Sequence, residues 1–278
     1  MSISESDLRY LDKKHLGGVN NANGNAYEHY YAIYRISTLL LLHRDNLQDI
    51  IIGSQIRAFI DDLYVKEYNH MTYYQIKNVH NLSWNHGKNG HTLKSDCVLQ
   101  NDMSSCASGL SNIVIVYSDE NFALQPIPEE ISSFTNIELF PFCDSLNQLL
   151  FVFEPFRISI KSICSLENPE NDDLEIIAKT LLADWVGENS SEVCLDDFYN
   201  SVLKHESLPI VGFNTECISE KCKCLFDSFS IEYRIVENKL IWNYKNELKG
   251  KIDWTEQKDN DLVDSNILNF WQLIELLY

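Results

Sequence analysis

The stretch that decides the fold is Asp61-Asp62-Leu63-Tyr64-Val65-Lys66, then Glu67-Tyr68-Asn69-His70-Met71, then Thr72-Tyr73-Tyr74-Gln75-Ile76-Lys77-Asn78-Val79. Both arms are rich in β-branched and aromatic residues, and a polar link of hairpin length joins them. The pattern predicts two antiparallel strands, over 62–66 and 72–79. Side chains alternate across a strand, so Gln75 and Lys77 share one face. A link of this length lets Asp62 approach that same face. A carboxylate, an amide oxygen and an ammonium then converge on one spot.

Outward from this hairpin the pattern predicts a mixed sheet. Upstream, residues 26–43 carry tyrosines and aliphatics at helical spacing with no Gly or Pro, which predicts a helix with one buried face. Residues 1–24 are polar, with Gly17-Gly18 and an Asn-rich run, and read as a loop or flexible lead-in. A further β-like run extends from Ile50 through Phe59. Downstream, Ile113-Val114-Ile115-Val116-Tyr117 is uninterrupted and apolar, as expected for a strand covered on both faces. Short runs at 137–140 and 149–153 complete the expected sheet. The order predicts an α/β core, and the charged segment 165–173 around Pro169 suggests a boundary between residues 1–164 and 165–278. Beyond it the sequence predicts helices at 174–186 and 195–205, the latter from Leu195 to His205. A half-buried strand follows at 229–235, turning at Glu237-Asn238 into 239–243, and an apolar last helix covers 267–277. No internal repeat is visible.

Composition narrows the class. Of 278 residues, 45% are hydrophobic and 23% charged, enough to bury a core and too apolar for a wholly disordered chain. With only 10 Gly and 6 Pro, fibrous architectures are excluded. No apolar run approaches the ~20 residues needed to span a bilayer, and no secretory leader is visible, so the expectation is a cytoplasmic protein. The eight cysteines are irregularly spaced and read as free thiols; Cys217, Cys222 and Cys224 match no common zinc spacing. The net charge is −19, but it is uneven. Residues 1–94 hold 10 Lys+Arg against 9 Asp+Glu, whereas residues 95–278 hold 12 against 32. Only the first third is therefore suited to face a polyanion.

The converging groups have a chemical rationale. Oxygen ligands from Glu28, Asp62 and the Ile76 carbonyl suit Mg²⁺ or Mn²⁺. A metal-bound water of lowered pKa attacks phosphorus, and Lys77 helps deprotonate that water or holds the scissile phosphate. His80, His86 and His91, interleaved with Asn81, Asn85 and Asn89, read as a loop bordering the cleft and able to touch phosphate. Neither a P-loop nor a dinucleotide-binding glycine motif occurs.

Gly17-Gly18, Tyr27-Glu28 at a helix start, Asp61-Asp62-Leu63-Tyr64-Val65 and Tyr74-Gln75-Ile76-Lys77 together resemble the PD-(D/E)xK nuclease superfamily, in its Q-x-K branch. The closest likeness is to the N-terminal double-stranded DNA endonuclease domain of bacterial anti-phage effectors. These are the SAVED-associated nucleases of CBASS systems and the nuclease subunit of Lamassu systems. The resemblance covers roughly residues 15–160. It implies a restriction-endonuclease-like α/β fold, with a mixed sheet flanked by helices and a smaller acidic α+β region behind it. It also implies metal-dependent DNA cleavage. Glu28 and Asp62 are then ligands, Gln75 replaces the usual acidic ligand, and Lys77 is catalytic. A typical member has an acidic residue two or three positions before the Asp pair, where this chain has Phe59 and Ala58, so Asp61 remains an alternative to Asp62 as the ligand. The implied partners are double-stranded DNA, an SMC-like ATPase, a small third subunit, and further copies of the chain on activation. The residues 165–278 are too few for a SAVED-type sensor, which favours a Lamassu-like arrangement. The rival reading is a non-catalytic interaction subunit that keeps the fold and docks a partner through its acidic region.

Overall fold

The structure, a computed structural model, describes residues 5–21, 26–44, 46–78, 83–85, 87–88, 90–106, 110–123, 125–166, 168–187, 192–205, 208–210, 218–236, 239–245, 248–265, 267 and 269–277. The first part of the chain forms α1 (Glu5–Asn21), α2 (Ala26–Leu42), β1 (Ile50–Ser54), β2 (Leu63–Glu67) and β3 (His70–Lys77). The short strands β4 (Gly87–Lys88) and β5 (His91–Thr92) lead into α3 (Leu93–Cys106). Next come β6 (Leu110–Tyr117), α4 (Glu120–Ala123), β7 (Thr135–Leu139), α5 (Leu146–Val152) and α6 (Glu154–Ser162). Then α7 (Asn171–Gly187), β8 (Glu192–Cys194) and α8 (Leu195–Leu203) close the first body of structure.

A six-stranded mixed sheet in the order β7-β6-β3-β2-β1-β8 is flanked by helices, so the chain is α/β. Strands β1, β2 and β3 are antiparallel neighbours, while β3, β6 and β7 run parallel. The β2–β3 link is tighter than the polar run suggests. Glu67 pairs with His70 across Tyr68-Asn69, and Tyr68 takes a left-handed φ of 55°. Leu63 faces Tyr74 in this hairpin, which sets Asp62 beside Gln75 one step further along.

The apolar run 113–117 lies in β6, an interior strand, and is covered on both faces. Val116 joins Leu63, Val65, Tyr74 and Ile76 in a core roofed by α2 and by the helices from α5 to α8. Ile113, Ile115 and Tyr117 join Tyr73 and Tyr64 on the opposite face, beneath α3 and α4. Tyr31 of α2 packs its ring 5.6 Å from Tyr74 and 5.2 Å from Phe140, which fixes α2 across the sheet.

Four expectations are corrected. Residues 5–21 of the expected lead-in form α1, and residues 22–25 lie outside the described ones. β1 stops at Ser54, so residues 55–62 form an irregular segment, and Asp62 precedes β2 rather than lying within it. The run 149–153 falls in helix α5 rather than a strand, because Leu146, Leu149 and Leu150 are buried at helical spacing and Ser145 caps Gln148 N. The sheet and its core also extend past residue 165. β8 pairs with β1, and the same apolar core takes in α7, α8 and Ile210. The backbone joins across the charged segment too, with Ser165 N donating to Pro209 O at 3.0 Å.

The rest of the chain forms α9 (Glu220–Ser228), a meander of β9 (Ile231–Val236), β10 (Lys239–Tyr244) and β11 (Leu248–Asp253), and the helices α10 (Glu256–Asp264) and α11 (Phe270–Leu277). Trp242 lies against Gly250 on the paired strand, where a Cβ would meet its ring at 2.4 Å, so glycine is required there. The apolar last helix buries Leu273, Ile274 and Leu277 in this second core. Val79 and the Glu237-Asn238 turn lie outside the described residues. Among the described residues, no helix is long and apolar enough to cross a membrane.

Candidate functional site

The site is built on the irregular segment 55–62 and on the end of β3. Phe59 and Ile60 are fully buried, and each such side chain contributes about 1.5–3 kcal/mol. Their backbone N–H groups have no strand partner. Both donate to Gln100 Oε1 of α3, at 2.9 and 3.3 Å. This burial offsets the cost of drawing the adjacent Asp61, 2% exposed, out of water.

Asp62 is the hub of the hairpin end. Its Oδ2 accepts from Gln75 Nε2, from Ile76 N at 2.7 Å and from Lys77 Nζ at 3.2 Å. The alternation read from sequence thus brings Asp62, Gln75 and Lys77 into direct contact on one face. The Lys77 side chain keeps about a third of its surface in solvent, at 34%. The cluster sits at the carboxyl ends of β3 and β6, the edge at which open α/β sheets bind ligands.

The other side of the cluster comes from residues that sequence reading missed. Lys14 of α1 donates to the Phe59 carbonyl and to Gln75 Oε1 at 3.2 Å. Its ammonium also lies 3.5 Å from Asp61 Oδ1 and 3.5 Å from Asp96 Oδ2. The Gln75 amide therefore bridges, with its nitrogen on Asp62 and its oxygen on Lys14. Tyr10, one turn earlier on α1, donates to Asp96 Oδ2 at 3.4 Å, and its ring stacks on His91 at 3.4 Å.

Helix α3 presents Asp96, Gln100 and Ser104 inward, all buried. It starts with a reciprocal cap: Ser95 N donates to Thr92 Oγ1 at 3.1 Å, and Thr92 N donates to Ser95 Oγ at 2.6 Å. That Thr-x-x-Ser signal, with Leu93, Asp96, Cys97, Gln100 and Ser104 at helical spacing, was available in the sequence. The polar character of the inward face hid it.

Electrostatics follow from this burial. Desolvation pushes the Asp61 carboxyl up to about 6; Lys14 pulls against that and the Asp62 charge adds to it. Burial likewise raises Asp96, again opposed by Lys14. For Lys14, burial alone would lower the pKa, but the charges of Asp61, Asp96 and Asp62 outweigh it and hold the ammonium above its ordinary value. The centre thus joins three carboxylates to two ammonium groups.

Glu28 lies in the first turn of α2, where its carboxylate accepts from Gln55 Nε2 at 3.2 Å. Of the histidine loop, His91 sits on β5 against Tyr10, while His80 and His86 lie outside the described residues, as do Asn81 and Asn89. Cys222 is buried in the second core and Cys224 is exposed, while Cys217 lies outside the described residues. Among the described residues, no group of three or more His, Cys, Asp or Glu side chains is placed to share one ion. The donors that do converge mix carboxylates with an amide oxygen and a main-chain carbonyl. These are hard oxygen donors, and they fit Mg²⁺ or Mn²⁺, which need only one or two carboxylates. Comparison with known proteins gave no match: no family model matches the sequence, no curated protein resembles it, and no solved structure matches its fold.

Proposed function

We propose that this chain is a metal-dependent endonuclease of the PD-(D/E)xK type that acts on double-stranded DNA. The observation that carries the reading is the shared contact of Gln75, Ile76 N and Lys77 on one oxygen of Asp62, at the carboxyl end of two parallel strands. This D-x12-Q-x-K unit supports the reading because it gathers a carboxylate, a side-chain amide and a partly exposed cation at one edge of the sheet.

Asp62 and Gln75, with Asp61 and Glu28 as further candidates, would hold Mg²⁺ or Mn²⁺. When bound, such an ion lowers the pKa of a coordinated water and polarises the phosphate. Lys77 faces solvent and grips the scissile phosphate as a compact cation. Asp62, fixed by three donors, keeps Lys77 and Gln75 in register with each other. The acidic remainder of the chain supports work within a complex, in which a partner such as an SMC-like ATPase and a small third subunit, or further copies of the chain, supply the surface that holds DNA. Together with the resemblance in the sequence, this supports a role as the effector of an anti-phage defence system.

The test is plasmid cleavage with Mg²⁺ or Mn²⁺, with the protein alone and with its partners. Asp62→Ala and Lys77→Ala are expected to lower cleavage by about a hundredfold or more while the melting curves stay cooperative. Near wild-type cleavage by both variants would overturn the assignment. A plasmid left intact by the wild-type protein under every condition would leave the rival reading, an interaction subunit.

A further inference from the structure

The position of Lys14 Nζ is unusual for a structural lysine. Its neighbours are Phe59 O, Asp61 Oδ1, Gln75 Oε1 and Asp96 Oδ2, which are oxygens from the segment 55–62, from β3 and from α3. An ammonium has three N–H donors, so four acceptors already exceed what it can satisfy. Asp96 Oδ1 is, moreover, buried without a hydrogen-bond partner among the described residues, on a residue only 7% exposed. The charges are also unbalanced. Asp61, Asp62 and Asp96 carry three negative charges against the two positive charges of Lys14 and Lys77. A divalent ion in place of the Lys14 ammonium would bring the cluster to neutrality, and Asp96, with one oxygen unpartnered, has coordinating capacity to spare.

We propose that these oxygens form a divalent-cation seat, with Asp96 as a ligand, and that Lys14 on α1 occupies it as a tethered counter-ion which a metal must displace. Apart from Lys14 and Tyr10, the described side chains of α1 add little to its hold on the site. Among its described side chains only Leu11 is fully buried apolar surface, and the Arg57–Asp12 pair at 2.7 Å is exposed and worth little. Both Tyr10 and Lys14 attach to Asp96, so one ligand switch releases both contacts. An α1 seated on the cluster is then the form with the seat filled by lysine, and an α1 lifted from it is the form open to metal. The proposal extends the nuclease reading, since the two share Asp61 and Gln75, but it is tested by binding rather than by cleavage.

The experiment is Mn²⁺ binding to the full-length chain, read by calorimetry and by the electron paramagnetic resonance of free Mn²⁺, alongside melting in chelator and in Mn²⁺. Lys14→Met removes the charge and keeps the length; it is expected to bind Mn²⁺ about tenfold or more tighter than wild type. It is also expected to melt lower in chelator and to recover with Mn²⁺. Adding Asp96→Asn to that variant is expected to abolish the gain, and Lys14→Arg is expected to match wild type. Leu11→Ala loosens α1 while leaving every seat oxygen in place, so it is expected to tighten Mn²⁺ binding by a smaller factor. It carries the test if Lys14→Met does not fold. A Mn²⁺ isotherm unchanged from wild type in the folded Lys14→Met protein, or in Leu11→Ala if the former does not fold, overturns the seat. That result leaves cleavage untouched, whereas a gain in Mn²⁺ binding without any cleavage supports the seat and removes the nuclease reading.

Discussion

At the scale of the residue, Asp61 sits in an environment that disfavours its charge. Burial lifts its carboxyl from 3.8 to about 6, even with Lys14 beside it. Between those values the folded protein holds a proton that the unfolded chain has released. Stability therefore falls as pH rises from about 4 to about 6 and is level above that. Asp61→Asn stands in for the protonated form and removes this dependence. Relative to wild type it is expected to gain on the order of 2 kcal/mol between about pH 4 and pH 7.5, read from urea midpoints. A difference that does not change with pH would contradict this. The residues legible in the sequence were those governed by local geometry: Gln75 and Lys77 follow from strand alternation, and Asp62 from the hairpin. Lys14 and Asp96 were not legible, because Lys14 meets Gln75 across 61 residues and Asp96 across 82. No periodicity reports a contact at that range.

At the scale of the element, legibility tracked how apolar the buried face is. α2, β3 and β6 bury aliphatic and aromatic side chains, and their patterns read directly. α1 and α3 turn polar residues inward, because what they cover is the site itself, so the periodicity that marks a helix is muted. The run 149–153 falls in α5 against its strand-like pattern for a different reason: a short apolar run looks alike as strand or buried helix. α3 matters beyond Asp96, since its Gln100 satisfies two buried N–H groups at Phe59 and Ile60. Gln100→Leu keeps the volume but strands both donors, and is expected to cost about 2–4 kcal/mol in chemical denaturation. Ser104→Ala, which removes only a hydroxyl that Gln100 Nε2 contacts at 3.2 Å, is expected to cost about 1 kcal/mol. Equal costs for the two would show that the segment 55–62 is not held by Gln100.

At the scale of the whole molecule, charge sets the working conditions of the proposed enzyme. The first 94 residues, which supply Lys14, Asp61, Asp62, Gln75 and Lys77, are nearly neutral, while the remainder carries 12 basic against 32 acidic side chains. The acidic part is not a loose tail. It contributes α3 and the strands β6, β7 and β8 to the sheet, so its field cannot be separated from the site. A duplex approaching Lys77 therefore meets net repulsion once it comes within about a Debye length, and only a few close cationic contacts oppose it. Binding that rests on few phosphate contacts, against such a field, is weak at low protein concentration. It strengthens when further copies or a basic partner add contacts, and each added contact steepens the dependence on salt. Plasmid cleavage by the chain alone is accordingly expected to rise faster than linearly with protein concentration. It is also expected to fall about tenfold or more between about 0.05 and 0.2 M salt. A basic DNA-holding partner should restore the rate at the higher salt without changing the effect of Lys77→Ala, since the partner supplies surface and Lys77 the chemistry. Full activity of the dilute chain at the higher salt, first order in protein, would show that its acidic part places no restraint on DNA.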